Sequence, residues 1–194
     1  MLSKVGLTHT LLFNKFCVLP NHLLVITNDY VFQHESLSKS DFDAAATVYS
    51  LLNGDDWLFF YNSGPQSGAT QPHRHLQLVP GKSPPIVSSD RKGNHHLTIF
   101  SGLIHRFIPI TSSEQWYANY QACLSIMPPN CDSYSLLFTK EWMLFVPRKC
   151  EFANNLSFNS LAMGGYLLAR TIDELEMLKL ADFSNLYGQL CYTW

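Results

Sequence analysis

Apolar residues come mostly in short runs separated by turn residues, with two stretches of helical period between them. Leu11 to Leu19 and Leu23 to Thr27 are parted by Pro20-Asn21-His22, a pattern that predicts two strands joined by a turn. Phe42, Ala45, Ala46, Tyr49 and Leu52 then recur at helical spacing behind Ser40-Asp41-Phe42-Asp43, which has capping-box character. That helix is expected to end near Asn53-Gly54. Trp57 to Tyr61 is expected as a buried strand, residues 62–72 as a loop, and His73 to Val79 as the next strand. Gly81 to Gly93, with its prolines, serines and charges, is expected as an exposed, mobile loop. His96 to Phe100 and Leu103 to Ile110 have the look of strands, and Ser113 to Ser125 that of a helix with Trp116, Tyr120, Cys123 and Leu124 on one face.

Pro128-Pro129-Asn130 breaks the chain, and Ser135 to Thr139 with Trp142 to Pro147 predicts a hairpin about Lys140-Glu141. Two helices are expected at the end, one on Leu161 to Ala169 and one opened by Thr171-Ile172-Asp173-Glu174. Hairpin-like strand pairs with helices between them predict an α+β fold with a mainly antiparallel sheet and flanking helices. Residues 1–125 would be the core, and 126–194 the C-terminal hairpin and helices of the same single domain.

Composition narrows the class. The 194 residues are 46% hydrophobic and 14% charged, enough to bury a core. A net charge of −2 argues against a general nucleic-acid binder and leaves room for a small anion held by N–H donors. Cys17, Cys123, Cys131, Cys150 and Cys191 are odd in number, widely spaced and free of CxxC pairs. They suit reduced thiols in a cytoplasmic protein better than a disulfide framework or a cysteine zinc site. Lys4, His9, Asn14, Lys15 and Pro20 interrupt the apolar N-terminal stretch, so neither a membrane helix nor a signal peptide is expected there.

The chemistry concentrates in Tyr61 to Gln77, where a loop of small polar residues precedes His73, His75 and Gln77. On a strand, alternate residues share a face, so these three would project together beside a loop whose N–H groups can gather around an anion. A neutral imidazole is a competent nucleophile toward phosphorus, and its neighbour can fix the attacking tautomer. Gln77 cannot ionise, which makes it a poor general acid, but its amide can donate to a phosphoryl oxygen. This favours transfer to another phosphate over proton-assisted hydrolysis. Gly64 and Gly68 allow close backbone approach, while Ser63, Ser67 and Thr70 add hydroxyls. Two other readings stay open: a metal site built from the HxH pair with Asp90, His95 or His96, and a purely structural histidine pair. A Walker A loop is excluded, because no Gly-Lys-Ser/Thr follows at the required spacing.

Asn62-x-Gly64-x-x-x-Gly68-x-Thr70-x-x-His73-x-His75-x-Gln77 resembles the histidine-triad signature, with glutamine at the third histidine as in the nucleotidyltransferase branch. Within it the chain is most similar to the diadenosine tetraphosphate phosphorylase (ATP adenylyltransferase) family. Asn14-Lys15-Phe16, His22 to Thr27, Thr139 to Met143, Val146-Pro147-Arg148, Asn159 to Gly165 and Glu174-Leu175-Glu176 extend the likeness over nearly the whole chain. The resemblance implies that His75 is the nucleophile of an adenylyl-histidine intermediate, that Gln77 binds the α-phosphate and that His73 supports the nucleophile. Asn62, Gly68 and Thr70 would lie along the phosphates, with Ser63, Gly64, Ser67 and Gln71 as further contacts. The implied reaction is phosphorolysis of diadenosine tetraphosphate (Ap4A) to ATP and ADP, with adenine nucleotides and phosphate as partners. It needs no tightly bound cofactor and no protein-held metal, Mg2+ entering only as escort of the nucleotide. The alternatives are a catalytically impaired nucleotide-binding relic, a uridylyltransferase-like enzyme or a metal-dependent hydrolase.

Members of the family it resembles usually carry several dozen residues ahead of the position matching Met1. Either that segment is dispensable or this is a truncated product with an incomplete pocket. Lys15, Lys140, Arg148 and Lys149 are candidates for the polyphosphate tail. Trp142 and His105, in apolar surroundings, are expected in the core.

Overall fold

The computed structural model describes residues 3–52, 56–81, 84–86 and 97–194. Among them, eight strands form one sheet: β1 (Ser3–Val5), β2 (His9–Phe13), β3 (Leu23–Thr27), β4 (Trp57–Ser63), β5 (His75–Pro80), β6 (Arg106–Pro109), β7 (Tyr134–Phe138) and β8 (Trp142–Pro147). Their order is β1-β2-β3-β5-β4-β7-β8-β6 and every neighbouring pair is antiparallel. A short ribbon of β9 (Phe152–Ala153) and β10 (Leu156–Ser157) stands apart. The helices are α1 (Lys39–Leu51), α2 (Trp116–Leu124), α3 (Ser160–Met163), α4 (Ile172–Lys179) and α5 (Phe183–Leu190). The fold is α+β, as the strand and helix pattern predicts.

Both faces of the sheet are covered, so its central strands are apolar at successive positions rather than alternate ones. Phe59 and Tyr61 on β4 face α1 and α2, where Phe42, Ala45, Val48, Trp116, Tyr120 and Cys123 complete one core. Leu58 and Phe60 face the other way, into a core shared with Leu161, Met163, Leu186 and Leu190 of the C-terminal helices. Each such buried side chain contributes about 1.5–3 kcal/mol relative to exposure. The β7–β8 hairpin turns at Lys140-Glu141 as expected. Thr139 Oγ1 accepts the N–H groups of Glu141 and Trp142, and the Thr139 N–H donates to the Trp142 carbonyl. Trp142 and His105 are interior: Trp142 stacks on Phe107, and His105 accepts the Leu97 N–H and donates to the Leu103 carbonyl.

Several boundaries differ from the expectation, each for a local reason. β2 ends at Phe13 instead of running to Leu19, because Asn14 N–H donates to the His22 carbonyl (2.9 Å) and closes a loop with Asn21 at φ 58°. The N-cap of α1 is Ser38 rather than Ser40. The Asp41 carboxylate accepts both the Ser38 N–H and its hydroxyl, each at 2.7 Å. Thr98–Phe100 is a 3-10 turn rather than a strand, and His96 lies outside the described residues, as does most of the loop expected at 81–93. The expected helix on Leu161 to Ala169 is a single turn, α3. Gly165 takes φ +90°, and a Cβ there would press on Pro85 and Ile86. The helix at Thr171 forms with Thr171 as its cap, while α5, capped by Asp182, was not expected.

Candidate active site

On β5 the side chains alternate. Leu76 and Leu78 belong to the α1 core, whereas His75 and Gln77 lie on the opposite face. There they meet Leu24 and Ile26 of β3, which stand across from Gln77 and His75 in the ladder, and Asn62 at the end of β4. This part of the sheet lies beyond the α3 and α5 core, and a cavity of about 600 Å³ opens over it. Asn14, Phe16, Val18 and His22 line one end, Gly68, Thr70, Gln71 and His73 line another part, and Glu151, Ser157, Asn159 and Leu168 to Arg170 complete the wall.

The hydrogen bonds define one tautomer for His75. Its Nδ1 lies 2.9 Å from the His73 carbonyl, which can only accept, so Nδ1 carries the proton and Nε2 keeps the lone pair. Burial lowers the pKa of His75 below the usual histidine value; the His73 carbonyl opposes that shift and the neighbouring His73 ring adds to it. The product is a neutral imidazole with a nucleophilic Nε2. His73 precedes the strand and forms an isolated bridge with Phe32; its Nε2 reaches Thr27 Oγ1 (3.0 Å) and the Asp29 carbonyl (3.2 Å).

Gln77 is oriented by a histidine that the sequence reading did not single out for chemistry. His22, 1% exposed, donates Nε2–H to Gln77 Oε1 at 3.0 Å. The Val18 N–H donates to His22 Nδ1 (3.4 Å), and the Asn14 amide lies 3.2 Å from the same nitrogen. With its oxygen claimed, the Gln77 amide has its NH2 left to donate. Burial also lowers the pKa of His22, partly offset by the Gln77 bond and reinforced by His75. A second unanticipated residue is buried Gln33. Its Nε2 donates to the carbonyls of Asn62 (2.9 Å) and His75 (3.3 Å), and its Oε1 accepts the His75 N–H (2.8 Å). The β4–β5 ladder stops at Phe60 and Gln77, and beyond that point this amide joins the two strands.

The glycine loop divides into two parts. Gly64 (φ +75°) starts a 3-10 turn, Pro65–Ser67, and a Cβ on it would collide with Ser133 Oγ and the Asp132 carbonyl. The hydroxyl of Ser67 donates to the Gly64 carbonyl (2.8 Å), and both Ser63 and Ser67 are fully buried. Ser63, Gly64 and Ser67 therefore brace the loop and do not line the cavity. Gly68, Thr70 and Gln71 do line it. Asn62 lines the cavity too, with Oδ1 accepting the Ser160 N–H at 2.8 Å.

Cations sort differently from the expectation. Arg148 is fully buried and donates to Ser135 Oγ and the carbonyls of Cys150 and Phe158, so it is a structural tie and not a phosphate contact. Lys149 reaches the Gly188 carbonyl, and Lys140 sits at the hairpin tip. Lys15 stands between two cavity residues with its ammonium 5.6 Å from the Phe16 ring centroid. Arg170, which no local motif marked, lies in the cavity wall. Among the described residues no three His, Cys, Asp or Glu side chains converge on a metal geometry; Asp90, His95 and His96 lie outside them. The five thiols are unpaired, and no helix of the described residues is long and apolar enough to cross a membrane.

Residues 1–90 match the Ap4A phosphorylase N-terminal domain and residues 96–193 the ATP adenylyltransferase C-terminal domain. The two segments share the sheet through the β4–β7 pairing. Protein APA1 of Saccharomyces cerevisiae is 29% identical over 197 residues, covering 84% of this chain and 61% of that protein. Diadenosine 5',5'''-P1,P4-tetraphosphate phosphorylase 2 of the same yeast is 30% identical over 210 residues, covering 88% and 65%. The chain thus spans less than two thirds of the length of either relative. The crystal structure of yeast Ap4A phosphorylase Apa2 superposes with a TM-score of 0.79 at 26% identity, over 96% of this chain and 75% of that one. The same yeast protein solved in complex with Ap4A gives 0.78 at 26% identity, over 96% and 74%. The chain belongs to the ATP adenylyltransferase family, joining an Ap4A phosphorylase N-terminal domain to an ATP adenylyltransferase C-terminal domain.

Proposed function

We propose that this chain cleaves Ap4A by phosphorolysis through a covalent adenylyl group on His75. The observation that carries the proposal is the tautomer of His75: Nδ1–H held by the His73 carbonyl, with Nε2 unprotonated in the cavity beside Gln77. Nε2 attacks the α-phosphorus, an N–P bond forms, and the bridging P–O bond breaks with its electron pair going to the departing triphosphate oxygen. ATP leaves. Phosphate then attacks the same phosphorus, the N–P bond breaks back to neutral His75, and ADP leaves. Neither step needs a proton from Gln77, which donates its NH2 to a non-bridging oxygen as charge builds there. Gly68, Thr70 and Gln71 offer backbone donors, Asn62 its remaining amide N–H groups and Arg170 its charge to the phosphates. Leu24, Ile26, Phe16 and Val18 give one adenine an apolar wall.

Adenine nucleotides and phosphate are thus the proposed ligands, and a cytoplasmic location fits the unpaired thiols. Incubation with Ap4A and phosphate should yield equal ATP and ADP, and Ap4A carrying a labelled α-phosphate should leave acid-labile label on the protein. His75→Ala should abolish both while leaving the thermal midpoint near that of the parent. Turnover that survives the substitution overturns the assignment.

A further inference from the structure

The β4–β5 ladder runs from Trp57 and Pro80 to Phe60 and Gln77, and then stops. Continued in the same register it would set Asn62 directly opposite His75, and both residues line the cavity. Each is instead paired on its outer side, Asn62 with Ser135 of β7 and His75 with Ile26 of β3. Between them lies the side-chain amide of Gln33, which is 3% exposed. Its Oε1 accepts the His75 N–H at 2.8 Å, and its Nε2 donates to the Asn62 carbonyl at 2.9 Å and the His75 carbonyl at 3.3 Å. An amide placed in series between two main chains spaces them more widely than a direct ladder bond does. Gln33 is itself held in place. Its N–H donates to the Pro72 carbonyl (2.8 Å), its carbonyl accepts the Tyr61 hydroxyl, and the Arg74 N–H donates to the neighbouring Val31 carbonyl (2.8 Å).

We infer that Gln33 is a positioning residue for adenylyl transfer: its amide sets the spacing and alignment of His75 against Asn62 where the two strands part. The inference rests on the phosphorolysis reading. Both Nε2 hydrogens and Oε1 are engaged by main-chain groups, so Gln33 acts on the substrate only through its two neighbours. A neutral amide matches this demand, accepting from one N–H while donating to two carbonyls; a carboxylate of the same length has no donor. His75 Nε2 must reach phosphorus in line with the departing oxygen, while Asn62 meets the phosphates from the adjoining strand. A displacement of about 1 Å between them misaligns the attack and costs about a hundredfold in rate. Nucleotide binding is spread over the whole cavity and is far less sensitive to the same displacement.

The test separates transfer from binding and from stability. Gln33→Met keeps the bulk and removes all three bonds. Single-turnover transfer of the adenylyl group to the protein should slow roughly tenfold to a hundredfold, with the calorimetric Kd for AMP within about twofold of the parent. Val48→Ala, in the α1 core, supplies a lesion that only destabilises: it lowers the thermal midpoint without slowing transfer. A rate loss in Gln33→Met that Val48→Ala matches, or that a weaker Kd for AMP accounts for entirely, overturns the assignment. Should Gln33→Met not fold, Gln33→Glu decides. Its carboxylate offers the Asn62 carbonyl no donor, whereas its protonated form regains one and still accepts the His75 N–H. The transfer rate of Gln33→Glu relative to the parent should therefore climb as the pH falls from about 8 to 6.5, because burial raises a carboxyl pKa. A constant ratio over that range overturns the inference. A parent chain that forms no adenylyl-protein overturns the phosphorolysis reading and this inference together. A parent that forms it beside an equally fast Gln33→Met overturns the inference alone.

Discussion

Residues 73–78, comprising the start of β5 and the two residues before it, present two faces with opposite surroundings. Toward α1, Arg74, Leu76 and Leu78 are locked: Arg74 Nη1 lies 3.2 Å from Asp41 Oδ2, His9 Nε2 lies 3.0 Å from Asp41 Oδ1, and the two leucines are in the core. Toward the cavity, His75 and Gln77 each make one side-chain hydrogen bond that selects a tautomer or an amide orientation, and His73 Nε2 reaches Thr27 Oγ1 and the Asp29 carbonyl. One face is packed and charge-paired, the other lines the cavity, and the backbone of Arg74 sits between the two histidines. The comparison predicts that damage to the α1 face costs stability with chemistry spared in the folded fraction. Damage to the cavity face should do the reverse.

The largest effect on that division comes from Asp41→Ala. Asp41 serves the Ser38 cap, His9 and Arg74 together. Removing it leaves a buried guanidinium without its carboxylate, which costs about 3–5 kcal/mol. Urea unfolding should show that loss as a lower midpoint with an unchanged slope. The kcat of the protein still folded should stay within about twofold. A fall in kcat at full folding would join the two faces and refute their separation.

The sequence announced the cavity face more clearly than the α1 face. His73, His75 and Gln77 are two residues apart, so strand geometry alone aligns them. The hairpin at Lys140-Glu141 and the helix at Thr171 are equally local signals. What escaped is tertiary. His22 meets Gln77 across 55 positions, Gln33 meets His75 across 42, and Arg74 meets Asp41 across 33. Phe16 and Val18 misled for a related reason: their apolarity suggested more strand, but they line the cavity with 76% and 38% exposure. Arg148 was misplaced because a buried cation held only by a hydroxyl and two carbonyls has no sequence signature.

His22 tests the cavity face at lower cost. His22→Phe removes the donor that holds Gln77 Oε1, freeing the amide to rotate its oxygen toward the phosphate. Misdirecting one preorganised donor should lower kcat roughly tenfold to a hundredfold, with KM for Ap4A changed far less. His22→Gln, which keeps an N–H donor, should recover most of the rate. Equal effects on kcat and thermal midpoint across both variants would reduce His22 to a packing role. Calorimetric melting beside single-turnover kinetics distinguishes the cases.

Acid should separate the faces with the gentlest effect. His75 and His22 lie below the ordinary histidine value of about 6.5, because burial disfavours the imidazolium. His75 therefore stays a neutral imidazole as the pH falls through that value. The adenylylation rate should be flat from about pH 8 to 6.5 and decline only below. The same shifts mean that the unfolded chain binds more protons in this window. Their stabilisation is thus complete above the unfolded value and is lost as pH drops through the lower folded ones. For Asp41, burial would raise the pKa, but the bonds from His9 and Ser38 and the Arg74 charge more than reverse it. Its contribution, complete above the ordinary aspartate value of about 3.9, persists until the pH falls through a still lower one. Activity should accordingly fade reversibly while near-ultraviolet circular dichroism still reports native packing, with the α1 face yielding only in stronger acid. An acid limb centred above pH 7 would show a raised His75 pKa and break the link between its burial and its nucleophilicity.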